Sequence, residues 1–387
     1  MKSLMKTFKD NVSQYSMIIA LVGIIIFFQI ASNGILLKPL NITNLILQNS
    51  YILILAIGML LVIVAFQIDL SVGSVAAVLG ALAGIMIINH NVSVPLGIVA
   101  VLIVGAIIGA WQGFWIAYVK IPAFITTLAG MMVFRGLTYV SLNGTSIAPF
   151  PRSFQLMSTG FIPDFFKGNG IHITTIVIGL IITILYVISE IRKRADQKKY
   201  KFEVTDSLIL TLKMASIIIV INGFCIIMAK YKGLPNVLVL LAVLVVFYTF
   251  ITTKTTLGRH IYALGGNEKA ARLSGVKTKF IVFLVFINMG VLSALSGLVF
   301  AARLSSATPN AGVGFELDAI AACFIGGAST SGGIGTIMGA IIGGLFMGVM
   351  NNGMSLMGVG IDWQQAIKGL VLLFAVAFDV YSKSKNS

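Results

Sequence analysis

Apolar residues run through this chain in blocks, and polar residues are confined to the short stretches between them. Each block holds roughly 20 residues, the length that crosses ~30 Å of hydrocarbon at ~1.5 Å per residue. The pattern predicts spans over residues 17–31, 43–67, 72–88, 94–119, 123–142, 171–191, 208–229, 237–253, 280–301, 316–324, 336–350 and 363–380. That is twelve crossings, with both ends on one side. The 316–324 segment can instead be a broken or re-entrant piece, which leaves about 10–12 true spans; irregular backbone at membrane depth is tolerated where protein buries it or water lines it. The expected fold class is therefore all-α: a polytopic transmembrane bundle forming a single domain over residues 1–387. The first apolar block, behind Lys2, Lys6 and Lys9, reads as an uncleaved first span, since no small-residue cleavage site follows it.

Two polar segments are long enough to carry function. The stretch 143–170 holds Pro149, Pro151 and Pro163 and is expected to be an irregular external loop. The stretch 254–279 is a charged island: Lys254, Arg259, Glu268, Lys269, Arg272, Lys277 and Lys279 stand between long apolar runs. Its middle predicts a short helix. Gly265 and Gly266 break the chain, Asn267 can cap the first amides, Glu268 suits the positive end, and Gly275 fits a left-handed C-terminal position. Ala270, Ala271 and Leu273 give that helix an apolar side with no partner in its own loop. Taken alone, the island is either a basic loop that only orients the protein or a segment that another protein receives.

Composition supports the membrane class. Hydrophobic residues make up 58% of the chain and Gly contributes 40 residues, whereas charged residues are only 10%, an excess that soluble domains do not show. The net charge of +15 does not point to nucleic acid, because the cations are sorted by side. Lys38, Arg152, Lys167, Lys230, Lys232 and Arg303 fall in external loops, Arg135 and Lys368 within spans, and the remaining 19 of 27, counting Lys213 near the end of its span, on the other side. This asymmetry makes the 192–206 loop and the 254–279 segment cytoplasmic, with both termini. A second signal is the spacing of Gly335, Gly339, Gly343, Gly344 and Gly348, which puts small residues on one helix face as a packing seam.

The sequence holds no catalytic constellation. There is no phosphate-cradling G-x-x-x-x-G-K-[ST], no H-E-x-x-H and no Ser-His-Asp grouping. Cys225 and Cys323 sit in apolar runs without a CxxC partner, and His90, His172 and His260 lie near span ends, so no metal or cofactor is expected. The acids Asp69, Glu316, Asp318 and Asp362 fall at span ends, where helix capping accounts for them. Gln48, Asn49, Thr126, Thr127, Asn288, Asn351 and Asn352 are neutral polar residues in spans. They suit either a hydroxyl-lined solute path or hydrogen bonds between helices.

Five motifs occur in order: IDLSVGSV (68–75), IPAFITTLAGMMVFRG (121–136), YALGGNEKAARLSGV (262–276), ELDAIAA (316–322) and GGIGTIMGAIIGG (332–344). With them the chain resembles the permease subunit of bacterial ABC importers for monosaccharides, in the ribose, xylose and multiple-sugar branch. Its length and the extra pair of spans around 192–201 resemble the xylose and multiple-sugar permeases most. The resemblance implies import of a monosaccharide such as xylose across the bacterial cytoplasmic (inner) membrane by a homodimer with a path at or near its axis. It implies an ATPase on a separate chain that binds the ATP, and an extracytoplasmic sugar-binding protein. Asn267, Glu268, Ala270, Ala271, Arg272, Leu273, Ser274 and Gly275 would form the segment that docks on the ATPase. The chain itself is then not an enzyme. An ion-coupled secondary transporter is the alternative, and it would need coupling acids in mid-span and no docking helix.

Overall fold

A computed structural model describes residues 12–168, 170–200 and 207–384. The N-terminal lysines, Lys201 with the rest of 201–206, and Lys385 lie outside these described residues. The helices are α1 Val12–Ala31, α2 Pro39–Val64, α3 Val72–Gly84 extended by a wider turn Ile85–Asn89, and α4 Val94–Phe114 extended likewise by Trp115–Val119. Then follow α5 Ala123–Ser141, α6 Arg152–Thr159, α7 Ile173–Lys199, α8 Ser207–Ala229, α9 Asn236–Lys254, α10 Thr256–Gly266 and α11 Glu268–Leu273. The last third holds α12 Thr278–Leu304, α13 Phe315–Ile325, α14 Ile337–Leu356 and α15 Ile361–Ser384.

Among the described residues, nine helices are long and apolar enough to cross a membrane, and Met17–Ala31 is a shorter apolar one. The α13 helix is different. It has only 11 residues. At ~1.5 Å per residue it reaches ~16 Å, about half a bilayer core. The 316–324 block is thus a half-helix, too short to cross by itself.

Burial follows the hydrophobic pattern. The α2 helix is apolar all round and sits at the centre, with Ile52 through Val64 buried. It packs against α12, α13 and α14, and α12 in turn packs along α3 and α4. The glycine seam of α14 does what its spacing predicts, with Gly339 and Gly343 against the backbone of Gly326 and Ala322 on α13. The α7–α8 pair is a peripheral hairpin, joined near its basic end by Lys213 and Glu190 at 2.6 Å. Outside the bundle, the 143–172 stretch is tied down by a bridge from Ile147 to Ala307 and by Asp164. The Asp164 carboxylate accepts from the amides of Phe166, Gly168, Ile173 and Thr174 and from the Thr174 hydroxyl.

Candidate translocation and coupling site

The start of α3 and the chain leading into α13 come together. After α2 ends, residues 65–71 turn back into the bundle before α3 starts. Ser71, at the start of α3, accepts from Gln112 Nε2 at 2.7 Å. Gln112 lies ~12 Å along α4 from Lys120, at the usual helical rise. From the opposite side, residues 305–314 descend along α3 before α13 starts, with Ala307 near Gly84 and Gly312 near Gly73. At the crossing, Gly73 and Gly312 lie so close that a Cβ on either would collide with the other's carbonyl oxygen. Gly312 also has φ +74°, a conformation that side chains disfavour.

Aromatic rings wall this crossing. Phe315 stacks on Tyr51 at 4.0 Å between centroids, and Phe300 meets both edge-on, geometries that aromatic pairs favour. Charged and polar groups surround the rings. Arg135 Nη1 donates to the Ala311 carbonyl, and Arg303 Nη1 donates to the Gln48 carbonyl at 3.4 Å. Ser74 Oγ and Glu316 Oε2 are buried without a partner. The cavity beside Phe300, Phe315 and Gly312 measures only about 10 Å³. That is room for no more than one water, so the helices and the 305–314 chain are closely packed here.

The acids do more than cap. Asp69 does accept from the Ser71 amide at 2.8 Å and from its hydroxyl at 2.6 Å, as a helix-start carboxylate should. Asp318 instead forms a buried ion pair with Lys368 of α15 at 3.1 Å. Glu316 lies in the first turn of α13 with Oε2 unpartnered, and Asp362 is exposed in the first turn of α15. Sequence spacing could not find the Asp318–Lys368 pair, because its members are 50 residues apart.

The neutral polar residues do not form one cluster. Asn49 is buried, donates to the Leu45 carbonyl and packs against Gly348. Thr126 and Thr127 donate back to the Pro122 and Ala123 carbonyls at the start of their own helix. Asn352 and Asn41 exchange side-chain hydrogen bonds at 2.8 and 3.2 Å. Asn288 accepts from the Tyr248 hydroxyl, and its Nδ2 is left over; Asn351 keeps an unpartnered Oδ1. Gln48 is exposed. Asn49, Thr126, Thr127 and Asn352 thus have hydrogen-bond partners within the chain, while Gln48 is exposed and Asn288 and Asn351 keep an unpartnered polar atom. The residues that sequence reasoning missed are Tyr51, Phe300 and Phe315, which read as ordinary core aromatics.

At the basic face, α11 is a capped helix. Asn267 Oδ1 accepts from Ala270 N at 3.0 Å, Glu268 occupies the first turn, and Gly275 sits at φ +86°, which are the local start and stop signals of a helix. The apolar side expected of it is divided. Ala271 is 5% exposed and faces the protein's own α10 and α12, where it cannot meet a partner. Ala270, Arg272, Ser274 and Gly275 are exposed, and Leu273 is 87% exposed. A single aliphatic side chain bare to water is common on protein surfaces, and here it leaves Leu273 free to meet a partner. Behind α11, Gly265 lies against the Val64 carbonyl, and Gly333 N donates to that same oxygen at 2.9 Å. The 254–279 segment is thereby pressed, through Gly265, on the end of the central helix and on the 326–335 turn.

Residues 41–160 and 157–376 match the family described as branched-chain amino acid transport system / permease component. The chain belongs to that family. It is 39% identical over 375 residues to the xylose transport system permease protein XylH of Haemophilus influenzae, covering 97% of this chain and 98% of that protein. The Escherichia coli K12 protein of the same name is 37% identical over 376 residues, 97% of this chain and 94% of its own. The ribose import permease protein RbsC of E. coli K12 is 34% identical over 368 residues, 95% of this chain and 93% of its own. No solved structure matches the chain. This permease is thus a multi-pass transport component rather than an enzyme.

Proposed function

We propose that this permease is the membrane subunit of an ATP-driven importer that carries a pentose, xylose first among candidates, across the cytoplasmic membrane into the cell. The family description names another solute class, so the choice rests on relatives alike from end to end, whose names specify xylose and ribose. Two copies form the path, an extracytoplasmic binding protein delivers the sugar, and a separate ATPase docks on α11.

The observation that carries the coupling role is the exposed Leu273 on a capped helix that follows directly on α10, whose Gly265 lies against the Val64 carbonyl at the end of α2. An ATPase groove that buries Leu273 moves α11, and the contact of Gly265 with the Val64 carbonyl passes that motion to α2. The test is Leu273→Glu in proteoliposomes with the partner ATPase. The variant should insert normally but lose ATPase association and solute-stimulated hydrolysis, since burying an unpaired charge costs several kcal/mol. Normal stimulation would place the docking surface elsewhere. Xylose-, ribose- and leucine-loaded binding proteins, compared for stimulation of hydrolysis, test the substrate class; stimulation by leucine alone would overturn the sugar reading.

A further inference from the structure

Four cations border one cavity on the basic face. The cavity has a volume of about 630 Å³ and lies between α11, the start of α12 and the turn joining α4 to α5. Lys120, Arg272, Lys277 and Lys279 line it, against the single acid Glu268. All four are exposed, and the ion pairs among the described residues, Lys213–Glu190 and Lys368–Asp318, include none of them. Lys120 reaches the rim because it ends its helix in the left-handed conformation, φ 68°, which turns the chain into Ile121 and Pro122. Two separate parts of the sequence therefore converge to place like charges around one space. Such an arrangement is unfavourable until an anion enters.

The remaining lining indicates which anion. Tyr118 and Phe280 line the cavity and are 43% and 47% exposed. Beside it, Val119, Phe124 and Ile125 continue an exposed apolar wall along α4 and α5, two spans with little of their surface buried. A free phosphate would satisfy the cations and leave this wall without a partner. We propose that the cavity holds the phosphate headgroup of an anionic glycerophospholipid of the cytoplasmic leaflet, with its acyl chains along the α4–α5 wall. Basic pockets between spans on the cytoplasmic side are suited to such headgroups, and an interfacial Tyr marks their depth. Arg272 belongs to α11, so the lipid also tethers the coupling segment. The binding site itself does not depend on the transport reading, and its test reads lipid rather than uptake.

The full permease is purified in micelles containing equal amounts of phosphatidylglycerol and phosphatidylcholine and examined by native mass spectrometry. The expected result is retention of phosphatidylglycerol over phosphatidylcholine, and a higher thermal midpoint with the former. Lys120→Gln/Lys277→Gln/Lys279→Gln should lower that retention by about tenfold or more. Lys198→Gln/Lys199→Gln, in the other basic loop, should leave it unchanged. Equal retention of the two lipids by the unaltered protein overturns the proposal without any variant. Equal loss in the two variants would reduce it to general surface charge. Displacement of the lipid by inorganic phosphate would make it a free-anion site. Unchanged retention together with lost ATPase binding would assign the cations to the docking surface instead.

Discussion

The contact of Gly73 with Gly312 joins the start of α3 to the chain leading into α13, and its importance can be measured by adding one methyl group. In Gly312→Ala the new Cβ would sit 2.7 Å from the Gly73 carbonyl carbon and nearer still to its oxygen, where ordinary contact begins at 3.4 Å. The chains must separate by about 0.7 Å or more, and overpacking of this kind costs about 1–3 kcal/mol. The Gly312 backbone is also left-handed, at φ +74°. That conformation adds about 1–2 kcal/mol for any residue with a Cβ. The sum is about 2–5 kcal/mol. Two controls separate the terms. Gly314 has φ +77° with open space where a Cβ would sit. Gly314→Ala therefore carries only the backbone cost of about 1–2 kcal/mol. Gly73→Ala carries the collision without a left-handed backbone, and gains up to about 1 kcal/mol of helix propensity. Thermal midpoints of the purified proteins should rise in the order Gly312→Ala, then Gly73→Ala or Gly314→Ala, with the unaltered protein highest. Uptake should be lost in both variants that collide and retained in Gly314→Ala. If Gly312→Ala melts with Gly314→Ala and transports normally, the two chains are not pressed together there and the reasoning fails.

Lys368→Ala leaves Asp318 buried without its cation. The cost is about 3–5 kcal/mol, whereas Asp318→Asn/Lys368→Gln removes both charges and should be milder in the same melting assay. The Asn41–Asn352 pair, joined by two side-chain hydrogen bonds, should show coupling. Asn352→Ala costs about 1–3 kcal/mol by orphaning a buried amide, and the double alanine variant costs less than the two singles together. Asp164 governs the external loop. Partial desolvation opposes its ionisation, but the hydrogen bonds from the Thr174, Gly168 and Phe166 amides and the Thr174 hydroxyl prevail and hold its carboxyl well below the usual range. A depressed carboxyl pKa contributes stability that is present above the unfolded value near ~4 and is lost as pH falls towards the folded one. Hydrogen exchange at Gly168 and Thr174 should thus stay slow from neutral pH to about 5. In Asp164→Asn the same amides should exchange fast across that range.

Much of this permease was legible along the chain. Its apolar blocks mark the spans because a bilayer sets one length and excludes charge. The α11 helix was legible to the residue, since Asn267, Glu268 and Gly275 are local signals that read the same in any context. Tertiary structure decided the rest. Ala270, Ala271 and Leu273 suggested one apolar side for α11, yet the fold turns Ala271 inward and leaves Leu273 bare, because burial depends on what lies across the contact. Span polarity could not tell a path from a packing contact: Asn49 and Asn352 are satisfied by neighbours, and Asn352 finds Asn41 from 311 positions away. Asp318 looked like a cap until α15 brought Lys368 to it. Local hydrogen bonds and hydrophobic lengths are written in consecutive residues, and one chain displays them. Pairings across the bundle depend on which faces close on which, and only the folded molecule makes that choice.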